Sequence, residues 1–228
     1  MNWRTRVAML TAAGCVMLSQ PASATLVSVT SCTRACTITD TPPNPVVPNP
    51  DDGLTLWNER QNVTLIEALA VDRVFDPSAS FVSGSDGNFM LAAGTVVSSH
   101  YVQFDPEGGA FARIEATITA DSQIFAFITE DQKLFDSDAV LGLPGLDYND
   151  FFMRGLELSD ETDFNGTSVD IFWNAQNPGD WARLITAYSP TAASVPAPPA
   201  LPLLAAGLAA MGLTARARAR RGRAQAGV

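Results

Sequence analysis

The sequence predicts an all-β fold, a single sandwich or jelly-roll-like ectodomain. Three observations carry this. Runs rich in β-branched and aromatic residues recur between residues 63 and 187. Clusters of Gly, Pro, Asn and Asp punctuate them, as in Ser83-Gly84-Ser85-Asp86-Gly87-Asn88, Glu107-Gly108-Gly109, Asn165-Gly166 and Asn177-Pro178-Gly179-Asp180. One run alternates with the strand period of two: Val169, Ile171 and Trp173 share a face, and Ser168, Asp170 and Phe172 share the other.

The elements follow in order. Residues 41–53 hold five prolines, which exclude helix and central strand and leave a stiff or wrapped extended arm. Residues 63–74 are apolar-rich. Residues 95–104 read as a strand that stops at Asp105-Pro106. Residues 114–120 and 124–129 read as an antiparallel hairpin turning at Asp121-Ser122, with the second strand buried on both faces. Residues 131–141 are the one helical candidate, although Asp136 and Asp138 fall within its pattern. Residues 168–173 and 182–187 complete the set. The domain plan is a segment to be removed at 1–24, a disulfide loop and Pro-rich arm at 25–53, a β-sandwich domain at 54–190, and a sorting segment at 195–224.

Both ends carry addresses. Arg4 and Arg6, an apolar stretch over 7–18 and Ala22-Ser23-Ala24 have the order of a secretory signal peptide, so the mature chain begins near Thr25. A lipoprotein signal ending at Gly14-Cys15 is disfavoured. The apolar stretch runs past Cys15, and Ala12 stands where a large aliphatic residue belongs. At the other end, residues 200–215 bear no charge, and Arg216, Arg218, Arg220, Arg221 and Arg223 follow at once. A helix over 201–215 covers roughly 22 Å, short of a ~30 Å hydrocarbon core, so it reads as a weak transmembrane anchor whose arginines stay cytoplasmic.

All 24 acidic residues and seven of the 14 basic residues lie within residues 25–194, so this body carries a net charge of −17. That charge opposes nucleic acid and anionic lipid as partners and favours divalent cations, cationic partners or, more simply, a solvated acidic surface. Cys32 and Cys36 are an even pair in an exported chain and read as a local disulfide. Three intervening residues rule out a C-x-x-C redox motif.

Chemistry-bearing patterns are few. His100 is the sole histidine, so a His-based triad would have to use it, and zinc sites with two histidines are excluded. Glu161, Asp163 and Asn165 precede Gly166 with the spacing of an EF-hand-like calcium loop, but Phe172 stands where the bidentate Glu belongs. Asp136, Asp138, Asp147, Asp150 and Asp160 could add oxygen ligands. Calcium coordination and unliganded acidic turns both remain open, and no other cofactor is indicated. Trp181, next to a turn, is the aromatic residue best placed for a sugar-stacking platform. Trp57, Trp173 and Tyr148 read as core.

The tail, Val195-Pro196-x-Pro198, then Ala200-Leu201-Pro202-Leu203-Leu204, Gly207-Leu208 and the arginine cluster at Arg216, Arg218, Arg220 and Arg221, resembles the PEP-CTERM sorting signal, in the variant opening Val-Pro-Leu-Pro-Ala. Ala197 replaces the Glu of the main family and the Leu of the variant, and Pro199 is extra. The resemblance implies a substrate of an exosortase-like membrane protease in a Gram-negative bacterium. It also implies an inner-membrane-anchored precursor and a mature form at the cell surface, in the extracellular matrix or secreted. Ser99-His100-Tyr101-Val102-x-Phe104-Asp105-Pro106 and Pro178-Gly179-Asp180-x-x-Arg183-x-Ile185-Thr186 resemble an ectodomain type found ahead of such tails, with no assigned chemistry. The implied role is structural or adhesive and not enzymatic, with extracellular polysaccharide as a partner. A carbohydrate-binding module, with or without calcium, is the alternative, and a secreted hydrolase stands behind it.

Overall fold

Alternation of apolar and polar side chains decides which sheet each strand joins. In β10 (Ala112–Ala120), Ala112, Ile114, Ala116, Ile118 and Ala120 are buried, while Arg113, Glu115, Thr117 and Thr119 turn outward. β13 (Ser168–Ala175) repeats the pattern with Val169, Ile171, Trp173 and Ala175. The two pair antiparallel, Ile114 opposite Trp173 and Ile118 opposite Val169, so both apolar rows fall on one face. With β1 (Leu26–Thr30) on one side and β12 (Glu161–Asn165) on the other, they form a four-stranded sheet in the order β1-β10-β13-β12. These features come from a computed structural model, which describes residues 26–47, 50–107, 111–149, 154–157, 160–176 and 179–189.

The larger sheet has no polar face to spare. All seven residues of β14 (Asp180–Thr186) are buried, as are all but the first of β9 (Val96–Asp105). These two strands pair antiparallel at its centre, flanked by β3 (Asp51–Asn58) and β11 (Ile124–Ile128). β2 (Cys36–Ile38) and β6 (Arg73–Val74) extend the edges, and β4 (Val63–Thr64) pairs with the start of β9. One face, with Leu54, Leu56, Val102, Phe104, Ala182 and Leu184, packs on the apolar face of the four-stranded sheet. The opposite face presents Trp57, Tyr101, Trp181 and Ile185 to a second core. That core is closed by α1 (Asp131–Leu141), by a three-stranded sheet of β5 (Leu69–Val71), β8 (Asn88–Leu91) and β7 (Val82–Ser85), and by Val46 and Val47. Among the described residues the fold is thus mostly β, with packed sheets, one short helix and a central sheet covered on both sides. Each fully buried aliphatic side chain in these cores contributes about 1.5–3 kcal/mol.

Two expectations need correction. Residues 114–120 and 124–129 do not form a hairpin. β10 pairs with β1 and β13, whereas β11 pairs with β14 and β6. Their burial explains it. β10 keeps a polar face and can line one side of a core, but β11 is buried on both faces and fits only the covered sheet, so Asp121–Gln123 carries the chain between layers. Residues 26–47, set apart as part of an arm ahead of the domain, instead belong to the packed body. They supply β1, β2 and two valines with no exposure. The helix spans the residues the sequence suggested. Among the described residues no helix is long and apolar enough to cross a membrane. The signal segment 1–24 and the sorting segment with Val195, Pro196, Pro198, Arg216, Arg218, Arg220 and Arg221 lie outside the described residues.

Candidate functional site

Among the described residues, buried charged side chains gather at two places. The first is against the inner face of α1. Arg183 projects from β14 toward the second core and is fully buried. Its Nε and Nη2 donate to Glu59 at 2.6 and 2.8 Å, and Nη2 also donates to Asp138 Oδ1 at 2.9 Å. Nη1 donates to the Leu134 carbonyl and to Ser137 Oγ. Asp138 Oδ2 accepts from Arg154 Nη2 at 2.9 Å, and Tyr148 donates its hydroxyl proton to Glu59 Oε1. Glu59 occupies the break between β3 and β4, where the edge of the sheet opens beside β9. Two guanidinium groups and two carboxylates therefore cancel, with Arg183, Arg154 and Glu59 buried and Asp138 partly exposed at the rim, and such pairing is the condition under which buried ions persist. Burial alone would lower the Arg183 pKa, but Glu59 and Asp138 together raise it. Burial raises the Tyr101 and Tyr148 hydroxyls, with Glu59 adding to the effect on Tyr148. These groups grip one another, so the cluster reads as a clamp between helix and sheet.

His100 belongs to the same description. It is fully buried on the face of β9 toward the four-stranded sheet. Its Nδ1 lies 2.8 Å from Asn58 Oδ1 and its Nε2 lies 3.1 Å from Thr186 Oγ1. Burial lowers its pKa to about 3, against a weaker opposite pull from Asp121. A ring with both nitrogens engaged and no solvent access is poorly placed for acid–base exchange with a substrate.

The second gathering lies where β14 begins. Ligand oxygens of Glu157, Asp160 and Asp180 all fall within 4.8 Å of one another. Asp160 is aimed by two backbone amides: Asn174 N donates to Oδ1 at 2.7 Å and Glu157 N donates to Oδ2 at 2.9 Å. Asp180 is 1% exposed, and neither of its carboxylate oxygens has a hydrogen-bond partner among the described residues. Burial, then the Asp160 and Glu157 carboxylates, push the Asp180 carboxyl up to about 9. Burial also raises Asp160, against the two amide hydrogen bonds. Gly179 sets the approach of this strand. Its φ is 105°, and a Cβ there would stand 2.7 Å from Asp105 Cα and 2.8 Å from the Phe104 carbonyl oxygen.

A third feature is a groove of about 600 Å³ between residues 63–70 and α1. Val63, Leu65, Leu69 and Val140 wall it, with Lys133 and Asp136 also on its lining.

The sequence-predicted residues fall as follows. Cys32 and Cys36 are joined by a disulfide in the turn between β1 and β2. Glu161, Asp163 and Asn165 do not form a calcium loop, which corrects the EF-hand-like reading. They lie along β12, and alternate residues of a strand are about 6.6 Å apart, so their side chains run in a row and cannot wrap one ion. Asp163 instead stands opposite Asp170, whose Oδ1 accepts from Thr117 Oγ1 at 2.6 Å. Trp181 is not a surface platform. It has no exposure and packs in the second core with Trp57 and Tyr101, because its position in β14 faces the helix-covered side. Tyr148 is also buried, while Asp138 and Asp160 join the two clusters above.

The sequence reading missed Glu59, Arg154 and Arg183, and it missed Asp180 and Glu157 as partners of Asp160. One signal was present: Arg183 interrupts the apolar run Ala182-Arg183-Leu184-Ile185, and a charge in a buried strand demands a counter-charge. In comparisons with known proteins, no family model, no curated protein and no solved structure matches the chain.

Proposed function

We propose that this chain is an exported, non-enzymatic surface or matrix component of a Gram-negative bacterium. Its work is structural or adhesive. The 1–24 segment takes it through the inner membrane. The 195–224 segment, in the PEP-CTERM manner, holds the precursor there until an exosortase-like protease acts near Val195, Pro196 and Pro198. The body is then a sandwich-type module delivered to the cell surface or medium, where extracellular polysaccharide is its partner.

One observation supports a structural body above the others: its sole histidine and its buried arginines serve its own scaffold. His100 is sealed with both ring nitrogens engaged. Arg183, Glu59, Asp138 and Arg154 neutralise one another. Trp57, Trp173 and Trp181 are buried, which removes the aromatic platform on which the carbohydrate-binding alternative leaned.

Expression of the full chain in a host that carries an exosortase tests the reading. Intact-mass spectrometry of envelope and medium fractions should show an amino terminus at Thr25. In the medium it should also show loss of the arginine tail. Recovery of the uncut 228-residue chain from the cytosol would refute it.

A further inference from the structure

We infer that Asp180, Asp160 and Glu157 form a calcium site at the head of β14. A carboxylate taken out of water and given no donor is one of the costliest arrangements a fold can hold. Both oxygens of Asp180 lack a partner among the described residues, and the side chain is 1% exposed. It is directed at two further carboxylates whose oxygens lie within 4.8 Å. None of the three forms an ion pair with Lys or Arg among the described residues. The Glu59–Arg183 clamp shows how this protein neutralises a buried acid where it has a base at hand. At Asp180 no base stands at hand among the described residues, and a cation from solution would supply the missing charge.

The donors select the ion. All are carboxylate oxygens, which suits a hard cation and not the nitrogen and sulfur preferences of zinc. Each oxygen of Asp160 spends one lone pair on a backbone amide, so the carboxylate is fixed in direction with a second lone pair on each oxygen left over. Glu157 is exposed and gives the ion a route from solvent. Three protein carboxylates completed by water match the flexible coordination of six to eight oxygens that calcium accepts, whereas magnesium demands a tighter octahedron. The site differs from the row on β12. Its ligands are Glu157 and Asp160 together with Asp180 of β14, brought together only in the folded chain. The inference does not depend on how the tail is processed.

The competing arrangement is a proton shared between Asp180 and Glu157. Terbium luminescence and thermal unfolding separate the two on the detergent-solubilised full chain, stripped of metal by chelator. Trp181, the chain neighbour of Asp180, is the sensitiser. Terbium emission should appear on the wild-type protein and be displaced by calcium with a midpoint of about 0.1–1 mM. Calcium at 10 mM should raise Tm by roughly 3–10 °C, and magnesium should not. Asp180→Asn keeps the shape and removes the charge. It should fold at least as well in chelator and lose at least about tenfold in calcium affinity, the mark of one lost charged ligand. Glu157→Gln, at an exposed position, provides the same readout should Asp180→Asn fail to fold. Absence of terbium emission and of any calcium-dependent Tm shift would overturn the inference in favour of the shared proton. Calcium binding undiminished by both substitutions, or matched by magnesium, would overturn it in favour of a diffuse ion atmosphere.

Discussion

Arg183 and Glu59 meet through two hydrogen bonds of 2.6 and 2.8 Å, both side chains wholly buried, although 124 residues of chain separate them. The pair fixes the β3–β4 break against the middle of the central sheet, and Asp138 extends the grip to the helix. It is a connection among three parts of the chain that local sequence does not bring together.

Removing one side of that pair leaves a guanidinium without its main counter-charge. Glu59→Ala should cost about 3–5 kcal/mol in urea unfolding. Replacing both Glu59 and Arg183 by methionine leaves Arg154 balanced by Asp138, so the double variant should be less destabilised than Glu59→Ala alone. Additive losses would show that the two groups do not act as a pair.

Acid should weaken the fold through His100. In the folded chain it resists protonation down to about pH 3, while the unfolded imidazole takes up a proton near its ordinary value of 6.5. Between these limits the unfolded state binds the extra proton. Stability therefore drops as pH falls from 6.5 to 3, by up to about 1.4 kcal/mol per pH unit from this group, and the contribution is flat above 6.5. Comparing the pH dependence of unfolding for the wild type and His100→Gln isolates it. Equal slopes in the two proteins would contradict the buried, neutral ring.

Tryptophan accessibility gives an independent check on the corrected place of Trp181. Trp57, Trp173 and Trp181 are each 1% exposed or less, so iodide should leave the emission of the signal-cleaved protein almost unquenched. Trp181→Ala should lower stability by about 3–5 kcal/mol, as expected for a large side chain lost from a closed core. A strongly quenched Trp181 with a stability-neutral substitution would return it to the surface.

Much of the strand content was legible because it rests on local alternation. Val169, Ile171 and Trp173 announce β13, and the helix bounds at Asp131 and Leu141 follow from the residues themselves. Pairing was not legible where two adjacent runs belong to different layers. Asp121-Ser122 has the composition of a tight turn, and only the two-sided burial of β11 sends it to another sheet. The candidate site was half visible. Asp160 was among the acids considered, but its meeting with Asp180 depends on how β14 enters the central sheet behind Gly179. Glu161, Asp163 and Asn165 misled for the converse reason, since ligand spacing in a sequence says nothing until the backbone conformation is known.

That same row, two acids and an amide, has a different consequence. β12 is the outermost strand of its sheet among the described residues, and Glu161, Asp163 and Asn165 are its exposed side chains. An open rim of backbone invites a neighbouring copy to add on, and negative charge along it repels that neighbour. Wherever copies of the chain meet at high concentration, this electrostatic fence works against edge-to-edge stacking.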